Sequence, residues 1–137
     1  EDNMERLTKI TKEEFKILTN NICLKNNGFN IIISCKYIQT WDQLAEALGN
    51  AFQFPIRNEG LDGTWDWLTD LSWLGDQKRI SIYLYDEKEL FKNDSSLKKQ
   101  VLCWFEELIQ FWEVDVKYAF IAGKPGETKE FKIYLVS

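Results

Sequence analysis

The sequence predicts an α/β fold in which a three-stranded parallel sheet is flanked by helices. Three apolar runs have the length of strands, at residues 29–35, 79–85 and 131–137, and helical patterns lie between them. Strands that alternate with helices favour a parallel sheet with right-handed crossovers. The chain has 137 residues, of which 45% are hydrophobic, so residues 1–137 are expected to form one domain with a sizeable core.

Residues 1–28 are predicted to add a helix. Thr11 and Glu14 have the spacing of a capping box, in which each side chain accepts a hydrogen bond from the other residue's backbone N–H. Apolar residues follow at helical spacing, so a helix is expected from about residue 12 to residue 24. We expect this helix to pack on the domain rather than to form a second binding site.

The first strand and the helix after it are expected to be core. Residues 29–35 contain three consecutive Ile residues, which is typical of a central parallel strand buried on both faces. Thr40 and Gln43 form a second capping-box pattern. The helix that follows has one apolar face, whose Trp and Phe are interpreted as core rather than as a binding stripe. That face consists of Trp41, Leu44, Ala45, Leu48, Ala51 and Phe52.

The middle of the chain is predicted to contain an acidic helix over about residues 61–72. Between residues 58 and 76 there are five acidic residues and no basic one. Asp62, Asp66 and Asp70 follow at steps of four, which puts three carboxylates in one row. Like charges at this spacing cost a helix roughly 0.2–0.5 kcal/mol per pair, so the row indicates a cationic partner. An ordinary solvated acidic face is the alternative interpretation.

The apolar residues of the acidic helix are expected to form a core-facing side, with Trp67 on neither the core side nor the acidic side. Leu61, Trp65 and Leu68 share one face and are expected to pack on the core. Trp67 lies on neither face. It is either a rim residue packed by a neighbouring loop or an exposed contact for a partner, because Trp is enriched at interface hot spots.

The C-terminal part of the chain is expected to add a long helix and an extra strand. The helix, over residues 97–112, has a wide apolar arc, which indicates burial on more than one side. Residues 114–122 alternate like a strand that would join an edge of the sheet, and a type II turn at 124–127 would make this end a hairpin. The polar edge of the helix consists of Glu106, Glu107 and Gln110.

Composition and charge exclude several classes of function. The formal net charge of −5 disfavours nucleic acid or an anionic membrane as a partner. The absence of His excludes Ser-His, Cys-His and His-metal chemistry. Cys23, Cys35 and Cys103 have no repeated spacing, so reduced thiols are expected rather than disulfides or a zinc site. No signal-peptide pattern and no membrane-length apolar run occur, so a cytoplasmic location is expected.

An ordered set of motifs resembles the barstar family of ribonuclease inhibitors over residues 29–112 and 131–137. Around the acidic helix the set contains Pro55, Leu61–Asp62, Trp65–Asp66, Leu68–Leu71 and Trp73–Leu74. Elsewhere it contains Ile31–Ile33, Ile38, Thr40, Asp42–Leu44, Leu48, Ile80–Tyr85, Val101–Leu102 and Phe105–Glu107. In the loop before the helix, residues 56–58 replace the family's Tyr-aromatic-Gly. The short members have no counterpart of residues 1–28, an N-terminal extension, or of 113–129, an insertion before the last strand.

This resemblance implies a proteinaceous inhibitor or immunity protein that blocks the active site of a basic ribonuclease or a related nuclease toxin. Asp66 would enter the phosphate-binding centre, flanked by Asp62 and by Glu107 of the last helix. Trp65 and Leu68 would hold the acidic helix rigid. No catalytic residue, metal or cofactor is expected, and no nucleic acid or membrane partner. The other expected partner-binding residues are Glu59, Trp67 and Asp70.

Three other functions are compatible with the same carboxylates. A barstar-like module could regulate a protein that is not a nuclease. Two carboxylates one turn apart could act as acid and base, although they share a convex face and do not oppose each other across a cleft. Oxygen ligands from Asp62, Asp66 and Asp70 would suit Mg²⁺ or Ca²⁺, although the sequence has no glycine-turned loop to wrap an ion.

Overall fold

A computed structural model describes residues 6–25, 28–56 and 60–137, with residues 21–25 as backbone only. No helix in these residues is long and apolar enough to cross a membrane. The helices are α1 (Lys12–Lys25), α2 (Trp41–Phe52), α3 (Leu61–Leu68) and α4 (Ser95–Glu113). The strands are β1 (Leu7–Ile10), β2 (Phe29–Ser34), β3 (Arg79–Tyr85), β4 (Phe120–Ile121), β5 (Lys124–Pro125) and β6 (Glu130–Val136).

The main sheet has four parallel strands in the order β1-β6-β3-β2. The predicted α/β fold is confirmed, and the three predicted strands are β2, β3 and β6. Their apolar residues lie side by side: Ile31 pairs with Ile82, which pairs with Ile133. All three side chains are buried in the core that the sheet shares with α2, α3 and α4.

The fourth strand, β1, was not predicted, because the sequence before α1 showed no strand pattern. Leu7 lies opposite Ile133 and Ile10 lies opposite Val136 at the open edge of β6. The backbone N–H groups of Arg6 and Leu7 donate to Glu106 Oε2 of α4, at 3.0 and 3.3 Å. A strand of four residues is too short for periodicity to reveal. It forms because β6 and Glu106 supply partners for its backbone.

The prediction that β2 is central and buried on both faces is wrong. β2 is an edge strand, and Ile32 is 56% exposed. On that face of the sheet Ile32 lies beside Tyr83. Helix α1 covers this face only in part, with the ring of Phe15 5.3 Å from that of Tyr83 and 5.1 Å from that of Tyr85. Ile31 and Ile33 face the core, whereas Ile32 lies on the opposite face, so only one face of β2 is fully buried.

Both predicted capping boxes are present. The N–H of Thr11 donates to Glu14 Oε1 at 2.8 Å, and the N–H of Glu14 donates to Thr11 Oγ1 at 3.0 Å. Thr40 and Gln43 make the same reciprocal pair at the start of α2. The predicted N-terminal helix is thereby confirmed as α1. Each box satisfies N–H groups that a helix start otherwise leaves unpaired.

The prediction of a strand over 114–122 at an edge of the main sheet is wrong. Residues Asp115–Tyr118 form a 3-10 turn, and β4 and β5 pair with each other in a separate antiparallel sheet. The chain reverses at Ala122 and Gly123, with φ values of 53° and 80°, rather than at 124–127. This pair of positive φ values is typical of the tight turn that joins two hairpin strands.

The two cysteines with described side chains are free thiols in different environments. Cys35, at the end of β2, is fully buried, and burial raises its pKa to about 12. Cys103 is exposed on α4. A thiol is reactive as the thiolate, so Cys103 is the more reactive of the two.

Glu106→Ala should loosen β1, because the N–H groups of Arg6 and Leu7 lose a charged acceptor. Hydrogen bonds to charged groups contribute about 1.5–3 kcal/mol, so amide exchange in β1 should accelerate at least about tenfold. Hydrogen exchange followed by NMR measures this. Glu107→Ala is the matched control, since the side chain of Glu107 is exposed and forms no hydrogen bond or ion pair with the described residues. Equal exchange in the parent and in Glu106→Ala would contradict the assigned role of Glu106.

Candidate protein-binding site

The acidic helix α3 is shorter than the predicted span of 61–72. It ends at Leu68, with Thr69 as its C-cap. Leu71 adopts a left-handed conformation with φ 57°, which no residue inside a helix has. At the other end, Gly60 precedes the helix with φ 89° and Asp62 lies in the first turn. The positive end of the helix dipole stabilises a carboxylate at that position.

The predicted row of three carboxylates is wrong at its last member. Asp62 and Asp66 are exposed and lie one turn apart on α3. Asp70 lies beyond the helix and is half-buried. Its Oδ1 accepts a hydrogen bond from the N–H of Ser72 at 2.9 Å. The helix therefore presents two carboxylates, while the third stabilises the turn that follows.

The inner face of α3 packs as predicted. Leu68 is fully buried, and Leu61 and Trp65 are half-buried. The ring of Trp65 meets that of Trp104 on α4 edge to face, with centroids 5.6 Å apart. The indole N–H of Trp112 donates to the carbonyl of Leu68 at 2.9 Å inside the core. The C-terminal half of the acidic helix is thus fixed against α4.

Trp67, in the last turn of α3, packs into an aromatic cluster. Its ring centroid is 5.3 Å from that of Trp73 and 6.2 Å from that of Phe54. Trp73 is itself held by a hydrogen bond from its Nε1 to the carbonyl of Phe52, at 2.9 Å. The indole nitrogen of Trp67 is buried and has no partner among the described residues. These contacts favour the packed-rim interpretation, and a direct contact between Trp67 and a partner stays a prediction.

Two adjacent carboxylates of α4 have different surroundings. Glu106 holds the backbone of β1, a structural role that the sequence did not reveal. Glu107 is exposed and lines a groove that Leu61 of α3 also lines. Leu61 directly precedes Asp62, so this groove begins beside the acidic helix. Glu59, which was also predicted to bind the partner, lies outside the described residues.

The exposed carboxylates of α3, Asp62 and Asp66, and Glu107 of α4 have no ion-pair partner among the described residues. The carboxylates that do form ion pairs are Asp76, Asp86, Glu87, Glu89, Glu113, Glu127 and Glu130. The negative charge of the α3 surface is thus not neutralised by these residues.

The geometry of these carboxylates also bears on the two alternatives of metal binding and acid–base catalysis. Across the described ranges, no group of three or more Cys, Asp or Glu side chains is placed to hold a metal ion. Asp62 and Asp66 lie on the exposed side of one helix, whereas acid–base pairs of glycosidases face each other across a bond to be broken.

A protein-family model described as Barstar (barnase inhibitor) matches residues 29–134. The match begins with β2 and contains α2, α3 and α4, whereas β1 and α1 lie outside it. It confirms the resemblance that the sequence motifs indicate. Comparisons with curated proteins and with solved structures gave no match.

Asp66→Ala should leave the stability of the fold within about 0.5 kcal/mol of the parent, or raise it. Asp66 is exposed, and its removal relieves repulsion from Asp62, worth roughly 0.2–0.5 kcal/mol. Glu87→Ala is the matched control, because Glu87 forms a 2.7 Å ion pair with Lys98 and both side chains are largely buried, with 14% and 21% exposed.

Glu87→Ala should lower the free energy of unfolding by at least about 1 kcal/mol, since the partly buried ammonium of Lys98 loses its ion pair. Urea unfolding of the three proteins measures both effects. A loss for Asp66→Ala as large as the loss for Glu87→Ala would mean that Asp66 serves the fold.

Proposed function

We propose that this chain, which belongs to the barstar family, is an inhibitor that binds a basic ribonuclease or a related nuclease toxin and blocks its active site. The observation that supports this most is the pair of exposed carboxylates, Asp62 and Asp66, on a helix fixed against α4. A ribonuclease cleft holds Lys and Arg side chains that bind RNA phosphates. Carboxylates at a fixed spacing complement those cations and can occupy the phosphate positions.

Asp66 is proposed as the central residue of this surface. It stands between Trp65 and Trp67, whose rings both pack against other aromatic side chains. Its backbone is therefore held in place before a partner binds. Such preorganisation reduces the entropy that association costs, so a charge at this position contributes more to affinity than one on a mobile segment.

The other carboxylates are proposed to act around Asp66. Asp62 lies one turn earlier, and Glu107 approaches from α4 beside Leu61. Both are expected to pair with cations at the border of the nuclease cleft. Asp70 should contribute least, because it already accepts the N–H of Ser72 and lies beyond the helix. Surface ion pairs of this kind are worth about 0–1 kcal/mol.

The target is expected to differ from the family's usual one. The loop before α3 replaces the family's Tyr-aromatic-Gly with residues 56–58, of which Ile56 is 65% exposed. We expect Ile56 to contact a different part of its partner from the part that the family's aromatic residue contacts. The protein is proposed to act as an immunity protein in the cytoplasm, by binding alone and without a cofactor.

Inhibition of a panel of basic ribonucleases that includes barnase tests the proposal. The parent should inhibit at least one of them at micromolar concentration or below. Asp66→Ala should weaken inhibition by about 2 kcal/mol or more, which is roughly thirtyfold. Asp62→Ala and Glu107→Ala should have smaller effects and Asp70→Ala the smallest.

Glu13→Ala is the control for a change of charge alone, since Glu13 is exposed on α1, across the sheet from α3. It should inhibit as well as the parent. A parent that inhibits no ribonuclease would favour the alternative of a regulator with a non-nuclease partner. Inhibition by Asp66→Ala equal to that of the parent would show that α3 is not the inhibitory surface.

A further inference from the structure

A groove of about 480 Å³ lies beside the acidic helix, between the first turns of α2 and α3 and the exposed side of α4. Its apolar lining includes Trp41, Leu61 and Trp104. The rings of Trp41 and Trp104 meet edge to face, with centroids 5.8 Å apart. The groove is shallow and largely open to solvent. Trp41, which the sequence assigned to the core alone, thus has a second, open side.

Helix α4 gives this groove a charge at each end. Lys99, Cys103 and Glu107 follow at steps of four and line it along one side. Eight residues of helix separate Lys99 from Glu107 along the chain, a length of about 12 Å. Neither of these two side chains forms an ion pair within the described ranges. The groove therefore runs from an unpaired cation to an unpaired carboxylate over an aromatic lining.

The groove is continuous with the proposed inhibitory surface. Leu61 in its lining is followed directly by Asp62, and Glu107 belongs to both. A basic protein that pairs with Asp62 and Glu107 would lie across the opening of the groove. Its affinity would then depend on which side chain it places there, since desolvated pockets at interface centres hold the anchoring residues.

We propose that this groove recognises an extended segment of the basic partner in which an aromatic side chain is next to an Arg or Lys. This inference rests on the proposed function. The aromatic ring would pack edge to face on Trp41 and Trp104, and the basic residue would pair with Glu107. Three or four extended residues, at about 3.3 Å each, span the length of the groove. The Lys99 ammonium would donate to a backbone carbonyl of the segment.

Dipeptides test the chemistry of the groove without any nuclease. In an NMR titration, N-acetyl-Phe-Arg-amide should shift the indole signals of Trp41 and Trp104 and bind in the millimolar range. N-acetyl-Gly-Arg-amide and N-acetyl-Phe-Glu-amide should bind at least about tenfold more weakly. Glu13→Ala should bind N-acetyl-Phe-Arg-amide as the parent does, because Glu13 lies on α1 and is not among the residues that line the groove.

Cys103→Trp fills the groove from an exposed position of α4 and should abolish binding of N-acetyl-Phe-Arg-amide. Cys103→Arg is the second variant, and it should repel the basic residue next to Glu107. Asn20→Trp, at an exposed position of α1, is the matched control and should bind like the parent. Against a ribonuclease that the parent inhibits, both Cys103 variants should inhibit at least about tenfold more weakly, with an unchanged thermal midpoint.

No binding of N-acetyl-Phe-Arg-amide, or equal binding by the parent and both Cys103 variants, would overturn the inference. The proposed function would survive that result, since the Asp66→Ala assay tests it separately. Unchanged inhibition of the ribonuclease by a Cys103 variant that no longer binds the dipeptide would also overturn the inference about the groove. If the parent inhibits no ribonuclease, the proposed function fails. The dipeptide titrations alone then test whether the groove prefers an aromatic residue next to a basic one.

Discussion

The hydrogen bond from the indole N–H of Trp112 to the carbonyl of Leu68 fixes the acidic helix to the core. Helix α3 has eight residues, and isolated helices shorter than about 12–15 residues are marginal in water. Its stability therefore comes from packing, in which Trp112 holds the last turn and Trp104 meets Trp65 one turn earlier. The carboxylates on the outer side are held at a defined spacing before any partner arrives. The proposed binding through them would therefore lose less conformational entropy.

Strand β1 and helix α1 add an edge strand and a partial cover to the sheet. Strand β1 closes the edge that β6 would otherwise leave open, and exposed edges are prone to pair with other chains. Helix α1 covers part of the second sheet face through Phe15, and Lys12 forms a 2.7 Å ion pair with Asp86. The hydrogen bond that the Lys12 ammonium donates to that carboxylate raises the pKa of Lys12. Neither element belongs to the matched family region.

Several features were predictable because they depend on local chemistry, and others were not because tertiary contacts decide them. The capping boxes at Thr11 and Thr40 follow from short-range hydrogen bonds, so sequence spacing revealed them. Strand β1 forms through pairing with β6 and through hydrogen bonds to Glu106 of α4. Asp70 leaves the row because Leu71 turns the chain, and a left-handed Leu has no sequence signal. Spacing also gave no means to tell Glu106, which bonds to β1, from the exposed Glu107.

Charge is proposed to act first on the encounter between inhibitor and nuclease, because exposed carboxylates attract a basic cleft from beyond contact distance. The most direct test is the association rate with an inhibited ribonuclease, measured by stopped flow across a range of salt concentrations. Electrostatic attraction predicts a rate that falls at least about tenfold once the Debye length drops below about 10 Å, while the dissociation rate changes little. An association rate that stays constant across that range would contradict the role of the α3 carboxylates.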